Sequence, residues 1–383
     1  VERFYKSKMF FINEKIVFKK FLSQNSYFFL LTSFSFTFIV WAIKAVRNLD
    51  IVSEDGHSFL IYFYYTFLMF PKIFGQILPL IFFTSLFYSL IKYEDNNELK
   101  IFWINGINKV NFYNVVLRYT ILFFFIQTII TAVLGPHMQN KAREYIKDST
   151  MDFFPSLFQE KKFIDTVDKL TIFIESKTTA GNLKNIYIKD DSSTYARIIV
   201  AKEGRLIFEN NKRVLRLYSG KFINMGAEGK SSSFNFDRTD FNLSKFGTKS
   251  TTYRKLQETN ISELLMCLNY IFIKKKIYFE KYLTCNKDSV KETLSEVYKR
   301  IFKPFYLFLL SSIVIFLVTS NHEKRGFKLF KLLIFFLGIF IIIISEIAVT
   351  FSGHSSSNFL IATLVPLIIF LIFYFNFYKR ANT

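Results

Sequence analysis

LPLIFFTSLFYSLIKYEDNNELKIFWINGINKVNFYNVVLR, residues 78–118, changes character twice. From Leu78 to Ile91 it is apolar apart from Pro, Ser, Thr and Tyr. Lys92, Glu94, Asp95, Asn96, Asn97 and Glu98 then interrupt the run, and a second apolar run opens at Val115. A helix crosses the hydrocarbon core with about 20 apolar residues, the usual range being about 17–25. The stretch therefore reads as the end of one membrane span, a short polar connection and the start of the next.

The same texture recurs on both sides. Residues 26–46, 59–91, 115–134, 305–318, 329–349 and 359–377 are almost wholly Phe, Ile, Leu, Val, Tyr, Ser and Thr, and all six meet or approach the spanning length. They concentrate the apolar half of a 383-residue chain that is 51% hydrophobic and 19% aromatic, with mean hydropathy +0.25. Soluble proteins spread a similar share through their elements, so the clustering excludes a soluble enzyme, a disordered chain and a secreted disulfide scaffold. The run after Ser26 is too long for a signal-peptide core and lacks a small-residue cleavage site, so it reads as the first anchor. Pro71, Gly75 and Pro79 in the second segment predict a kinked, tilted crossing.

Lys and Arg in short flanks set helix orientation. The N-terminal tail carries Arg3, Lys6, Lys8, Lys15, Lys19 and Lys20, whereas residues 48–57 carry Asp50, Glu54 and Asp55. Lys92, Lys100 and Lys109 follow the second span, Lys324, Arg325, Lys328 and Lys331 the fourth, and Lys379 and Arg380 the sixth. Residues 352–358 contain neither Lys nor Arg. Both termini are thus expected in the cytoplasm, and residues 136–302 outside it, since long loops cross largely regardless of charge. The expected organisation is 1–135 with three spans and a cytoplasmic helix near 96–109, then the extracytoplasmic 136–302, then 303–383 with three more.

Within 136–302 the period changes to two. Leu170, Ile172 and Ile174 alternate with polar or outward residues, as do Ile186 and Ile188, Ile198 and Val200, and Leu215 and Leu217. Gly181-Asn182, Asp190-Asp191, Gly204, Asn210-Asn211 and Gly220 punctuate them. Short alternating strands with turn residues between them predict an all-β domain over about 165–245, flanked by helical linkers. Residues 261–282 are apolar but hold Lys274, Lys275 and Lys276. Three central charges are costly in hydrocarbon, so this segment reads as an amphipathic helix beside the membrane.

Catalytic signatures are missing. The four histidines, His57, His137, His322 and His354, fall in four different loops, so no metal pair or cofactor site is expected. There is no G-x-x-x-x-G-K-[ST] motif for ATP, no G-x-S-x-G and no G-x-G-x-x-G. The net charge of +20 accompanies abundant Lys, Phe, Ile and Asn, the residues an AT-rich genome favours. Nucleic-acid binding needs a basic face beside a readable motif, and none occurs. Two cysteines, Cys267 and Cys285, carry no redox or metal motif.

In the opening stretch, Leu78-Pro79-Leu80, Glu98-Leu99 and Gly106-Ile107 stand in an order that resembles the LptF/LptG (YjgP/YjgQ) permease family of lipopolysaccharide export. Gly135-Pro136, Ala201, Gly204, Leu217 to Gly220, Arg300, Pro304, Gly326 and Pro366 extend the likeness along nearly the whole chain. Asn97 stands where the family has Ser, and Trp103 to Asn105 fill a stretch that is usually of small residues. The stretch 201–220 is closer to LptF than to LptG.

The resemblance implies a non-enzymatic inner-membrane permease subunit of a Gram-negative bacterium, with a periplasmic β-jellyroll between helices three and four. It implies a paralogous LptF/LptG-type partner, an LptB-type ATPase dimer, LptC-type and LptA-type bridge proteins, and lipopolysaccharide as cargo. By that likeness Glu98, Leu99, Gly106 and Ile107 form the ATPase-coupling element; an ordinary solvated loop helix is the other reading. Lys44 and Arg47, three apart on one helix face, and Lys72 are placed for lipid phosphates, or else snorkel to headgroups. Ile172, Ile174, Ile186, Ile198, Leu215 and Leu217 line either an acyl-chain path or a plain core. The competing classes are an extracytoplasmic ligand-binding or assembly protein, and an ABC permease of the MacB or FtsX kind. The first would need a cytoplasmic output module, and the second carries its large domain after the first span.

Overall fold

A computed structural model describes residues 2–49, 52, 58–157, 160–167, 169–178, 181–191, 197–209, 212–225, 231–243, 255–273, 290–319 and 326–382. Six of its helical stretches are long and apolar enough to cross a membrane: Lys15–Arg47, Phe59–Asp95, Lys109–Ile146, Val290–Thr319, Phe327–Ser352 and Ser356–Ala381. A six-stranded antiparallel sheet lies in the chain between the third and the fourth. The expected fold class, three helices, an all-β insertion and three helices, is the one observed. Two compact units result, residues 1–42 with 69–139 and 255–383, and residues 43–68 with 140–254.

Span one is the outer part of α1 (Glu2–Arg47). Span two joins α2 (Phe59–Leu68) to α3 (Phe70–Asp95). The chain stays helical through Pro79, and the interruption falls at Met69. Pro71 occupies the first turn of α3, where its missing N–H has no intrahelical partner to lose. A short helix α4 (Glu98–Ile104) follows. Span three runs through α5 (Lys109–Ile129), a wider π turn at Ile130–Leu134, and α6 (Gly135–Leu157). After the sheet come α7 (Ile261–Ile273) and α8 (Val290–Val297). A second π turn at Tyr298–Phe302 leads into α9 (Tyr306–Ile315), and α10 (Phe327–Ser352) and α11 (Ser356–Asn382) complete the bundle. Lys274 to Lys276 and Cys285 lie outside the described residues.

Span four is the centre of the bundle. Of its apolar window 72% is buried, and of span two's 61%, against 17%, 22% and 17% for spans one, five and six. The outer spans therefore present apolar surface that suits hydrocarbon. Hydrogen bonds fix which helices meet. Ser85 and Ser89 of α3 each donate to Asn25 Oδ1 of α1 at 2.9 Å. Tyr113 of α5 donates to Ser312 Oγ of α9 at 2.6 Å, and Tyr298 to the Ala362 carbonyl of α11 at 3.0 Å. Such bonds contribute on the order of 0.6 kcal/mol each in membranes, less than packing does but with strict geometry. At Gly338 of α10, an added Cβ would collide with the Phe83 ring of α3; spans two and five touch there because neither carries more volume.

The sheet strands are β1 (Phe163–Val167), β2 (Leu170–Lys177), β3 (Asn182–Asp190), β4 (Arg197–Glu209), β5 (Lys212–Met225) and β6 (Ser231–Asn242). They pair strictly in chain order, so among the described residues β1 and β6 are edges. Ile172 faces Ile188, Ile174 faces Ile186, and Ile186 and Ile188 face Ala201 and Ile199. That register corrects the alternation expected for β4. The core positions are Ile199 and Ala201, while Val200 is exposed and Ile198 is buried outside the central cluster. Two left-handed residues, Asn185 (φ 47°) and Ser219 (φ 51°), reset the alternation within β3 and β5. On β3 the buried positions accordingly run Leu183, then Ile186 and Ile188. A strict period of two cannot anticipate such a reset.

Candidate functional site

The polar connection of the opening stretch folds into α4, held between spans two and three by a defined start and stop. Asn97 enters it in the left-handed conformation (φ 59°), which Asn tolerates better than most residues. At the far end Gly106 has φ 81°. Its N–H donates to the Trp103 carbonyl at 3.0 Å, and the Ile107 N–H to the Phe102 carbonyl at 3.1 Å. This pair of bonds is the Schellman stop, for which glycine carries no Cβ penalty.

Capping fixes which faces look in and out. Leu99, Phe102 and Ile107 are buried, at 1%, 8% and 6% exposure, in the same apolar cluster as Phe21, Tyr93 and Phe112. Leu99 and Ile107 thus anchor the helix from its inner face. The outward face carries Glu98 and Gly106 together with Ile101 and Ile104, which are 54% and 85% exposed. Sequence reasoning missed these two isoleucines. Their signal was spacing, three apart on the face opposite Leu99 and Phe102. Glu98 is loosely held, its carboxylate 3.8 Å from Lys20 Nζ and 3.5 Å from Asn96 Nδ2. Exposed pairs of that kind contribute little, so the carboxylate can be recruited by a better donor.

Lys44 and Arg47 sit together in the last turn of α1, where cations complement the helix dipole. Arg47 is exposed and Lys44 half-buried. Lys72 belongs to the other compact unit. Its amine donates to Gln257 Oε1 at 2.8 Å beside a small pocket whose lining includes Gln139, Glu296, Lys299 and Arg300. Arg300, only 1% exposed, is the knot of that pocket. It donates to the carbonyls of Thr259 (2.7 Å), Gln257 (3.1 Å) and Leu256 (3.2 Å), and to Glu296 Oε1 at 3.0 Å. A guanidinium so surrounded keeps its charge satisfied while buried. Thr131 Oγ1 reaches the Arg300 carbonyl at 3.0 Å, tying the π turn of span three to that of span four. On span five, Glu346 pairs with Lys303 of span four.

In the sheet, Ile172, Ile174, Ile186, Leu215 and Leu217 are all 2% exposed or less and share one cluster with Ile188, Ile199 and Ala201. They pack against one another in a single buried core. Ile198 stands apart from it.

Among the described residues no group of His, Cys, Asp and Glu could hold a metal ion. The family model described as lipopolysaccharide export system permease LptF/LptG matches residues 19–380. An uncharacterized protein of Rickettsia prowazekii (strain Madrid E) is 23% identical over 323 residues, covering 82% of this chain and 85% of that protein.

Proposed function

This chain belongs to the LptF/LptG family of lipopolysaccharide export permeases, and we propose on that footing that it is one membrane half of an ATP-driven exporter. It pairs with a paralogous six-span subunit and binds an LptB-type ATPase dimer on the cytoplasmic side. Its sheet domain, periplasmic in this reading, passes lipopolysaccharide to LptC-type and LptA-type bridge proteins. The termini and α4 are cytoplasmic, in keeping with the Lys and Arg distribution of the short loops.

The observation that carries this reading is α4 itself. A helix seated by Leu99, Phe102 and Ile107 and stopped by Gly106 moves with spans two and three, so force on its outer face reaches the bundle. Ile104 and Ile101 enter an apolar groove of the ATPase, and Glu98 meets a donor at its rim. Lys44, Arg47 and Lys72 meet lipid phosphates. Acyl chains enter the sheet interior by displacing the mutual packing of Ile172, Ile174, Ile186, Leu215 and Leu217, which share one buried cluster.

Burying an isoleucine is worth about 1.5–3 kcal/mol, so Ile101→Asp with Ile104→Asp lowers ATPase co-purification by at least about tenfold. The substituted side chains are exposed, so the bundle still folds. ATPase recovery equal to that of the unmodified chain would remove α4 from the mechanism.

A further inference from the structure

Spans one and three line a shallow, open groove of about 640 Å³ near the basic end of α1. We propose that this groove binds an anionic phospholipid, with its phosphate between Lys15, Lys19 and Arg118 and an acyl chain along Leu22, Val115 and Leu122. The site lies within one compact unit and does not depend on the exporter reading.

Charge complementarity carries the proposal. Lys15 and Lys19 lie one turn apart on α1, and Arg118 faces the same groove from α5. All three are exposed, and among the described residues no carboxylate lines the groove or pairs with any of them. Lys20, beside them in sequence, turns instead toward Glu98. Arg118 stands three residues into the apolar run that opens at Val115. An arginine within a spanning helix is costly unless it is matched, and its planar fork suits phosphate oxygens.

The walls match the rest of the ligand. Leu22 lies three residues beyond Lys19, and Leu122 four beyond Arg118, so apolar surface continues from the cations along both helices. Leu122 is 55% exposed, and a hydrocarbon chain would cover it. Between the helices the Ser26 and Tyr119 hydroxyls bond to each other at 3.1 Å, supplying a polar step where a glycerol ester can sit. A soluble anion would use the cations and leave the apolar walls uncovered, so the combination selects a lipid.

The full chain is placed in nanodiscs of phosphatidylcholine with a minor share of phosphatidylglycerol, and retained lipids are counted by native mass spectrometry. The unmodified chain should enrich phosphatidylglycerol at least about tenfold over its bulk share. Lys19→Gln with Arg118→Gln should bring this to within about twofold of bulk. Leu122→Trp changes no charge at an exposed position and blocks the acyl wall; it should reduce retention similarly, and serves if the double variant does not fold. Absence of enrichment, full enrichment in either variant, or displacement by millimolar inorganic phosphate would overturn the proposal.

Discussion

Gly106 does at one position what no L-residue with a branched side chain can do. Its φ of 81° lets the Ile107 N–H close on the Phe102 carbonyl. A left-handed L-residue costs about 1–2 kcal/mol, so Gly106→Val should speed hydrogen exchange at the Gly106 and Ile107 amides about tenfold. Gly106→Asn should change them much less. A second prediction concerns Asp240 of β6. The hydrogen bond from Arg216 holds its carboxyl below the usual carboxylate range. A depressed folded value means that the pair stabilises the β5–β6 edge above the ordinary aspartate pKa and is lost as pH falls through the lower, folded one. Amide exchange along β6 should therefore rise below about pH 4, and Asp240→Asn should flatten that dependence. Of the proposed coupling residues, Glu98 and Gly106 were legible because their chemistry is unusual for their place. Ile101 and Ile104 were not, because apolar residues beside a membrane span carry no label until the buried face is known.

Among the elements, spans were far more legible than strands. A hydrophobic run of spanning length has one physical solution, and all six were found. Span four's apolar run covers only 305–318, and the helical periodicity of 288–302 extends it; the helix is described from Val290 on, with Thr293, Leu294 and Val297 buried within the bundle to supply what the short run lacks. In the sheet a local break in the alternation reverses the side chains beyond it: on β4 the buried positions run Ile199, Ala201 and then Gly204, with Lys202 and Glu203 both exposed, so a strict period of two read back from Leu206 lands on Ile198 and not on Ile199. Helix contact also rests on absent volume. Gly338→Leu drives a side chain into the Phe83 ring and should cost about 1–3 kcal/mol by overpacking. Thermal unfolding in detergent should show a lower midpoint, and Gly338→Ala a smaller drop. A midpoint unchanged by leucine would mean that spans two and five are not held together there.

For the whole molecule, symmetry of layout does the organising: three spans, a sheet, three spans, with spans two and four at the centre. The outer spans one, five and six keep apolar faces such as Phe34, Phe336, Phe340 and Leu364 exposed, surface that lipid or another spanning subunit can cover. The central claim is that such a chain, with no ATP motif of its own, works as half of a lipopolysaccharide exporter through α4. Affinity isolation of the tagged chain from its native membrane in mild detergent, with mass spectrometry of both proteins and lipids, tests this most directly. The account predicts a paralogous six-span subunit, a P-loop ATPase and lipopolysaccharide in the same particle, with the ATPase lost in the Ile101→Asp, Ile104→Asp chain. Recovery of the chain alone, with only ordinary phospholipid bound, would contradict it.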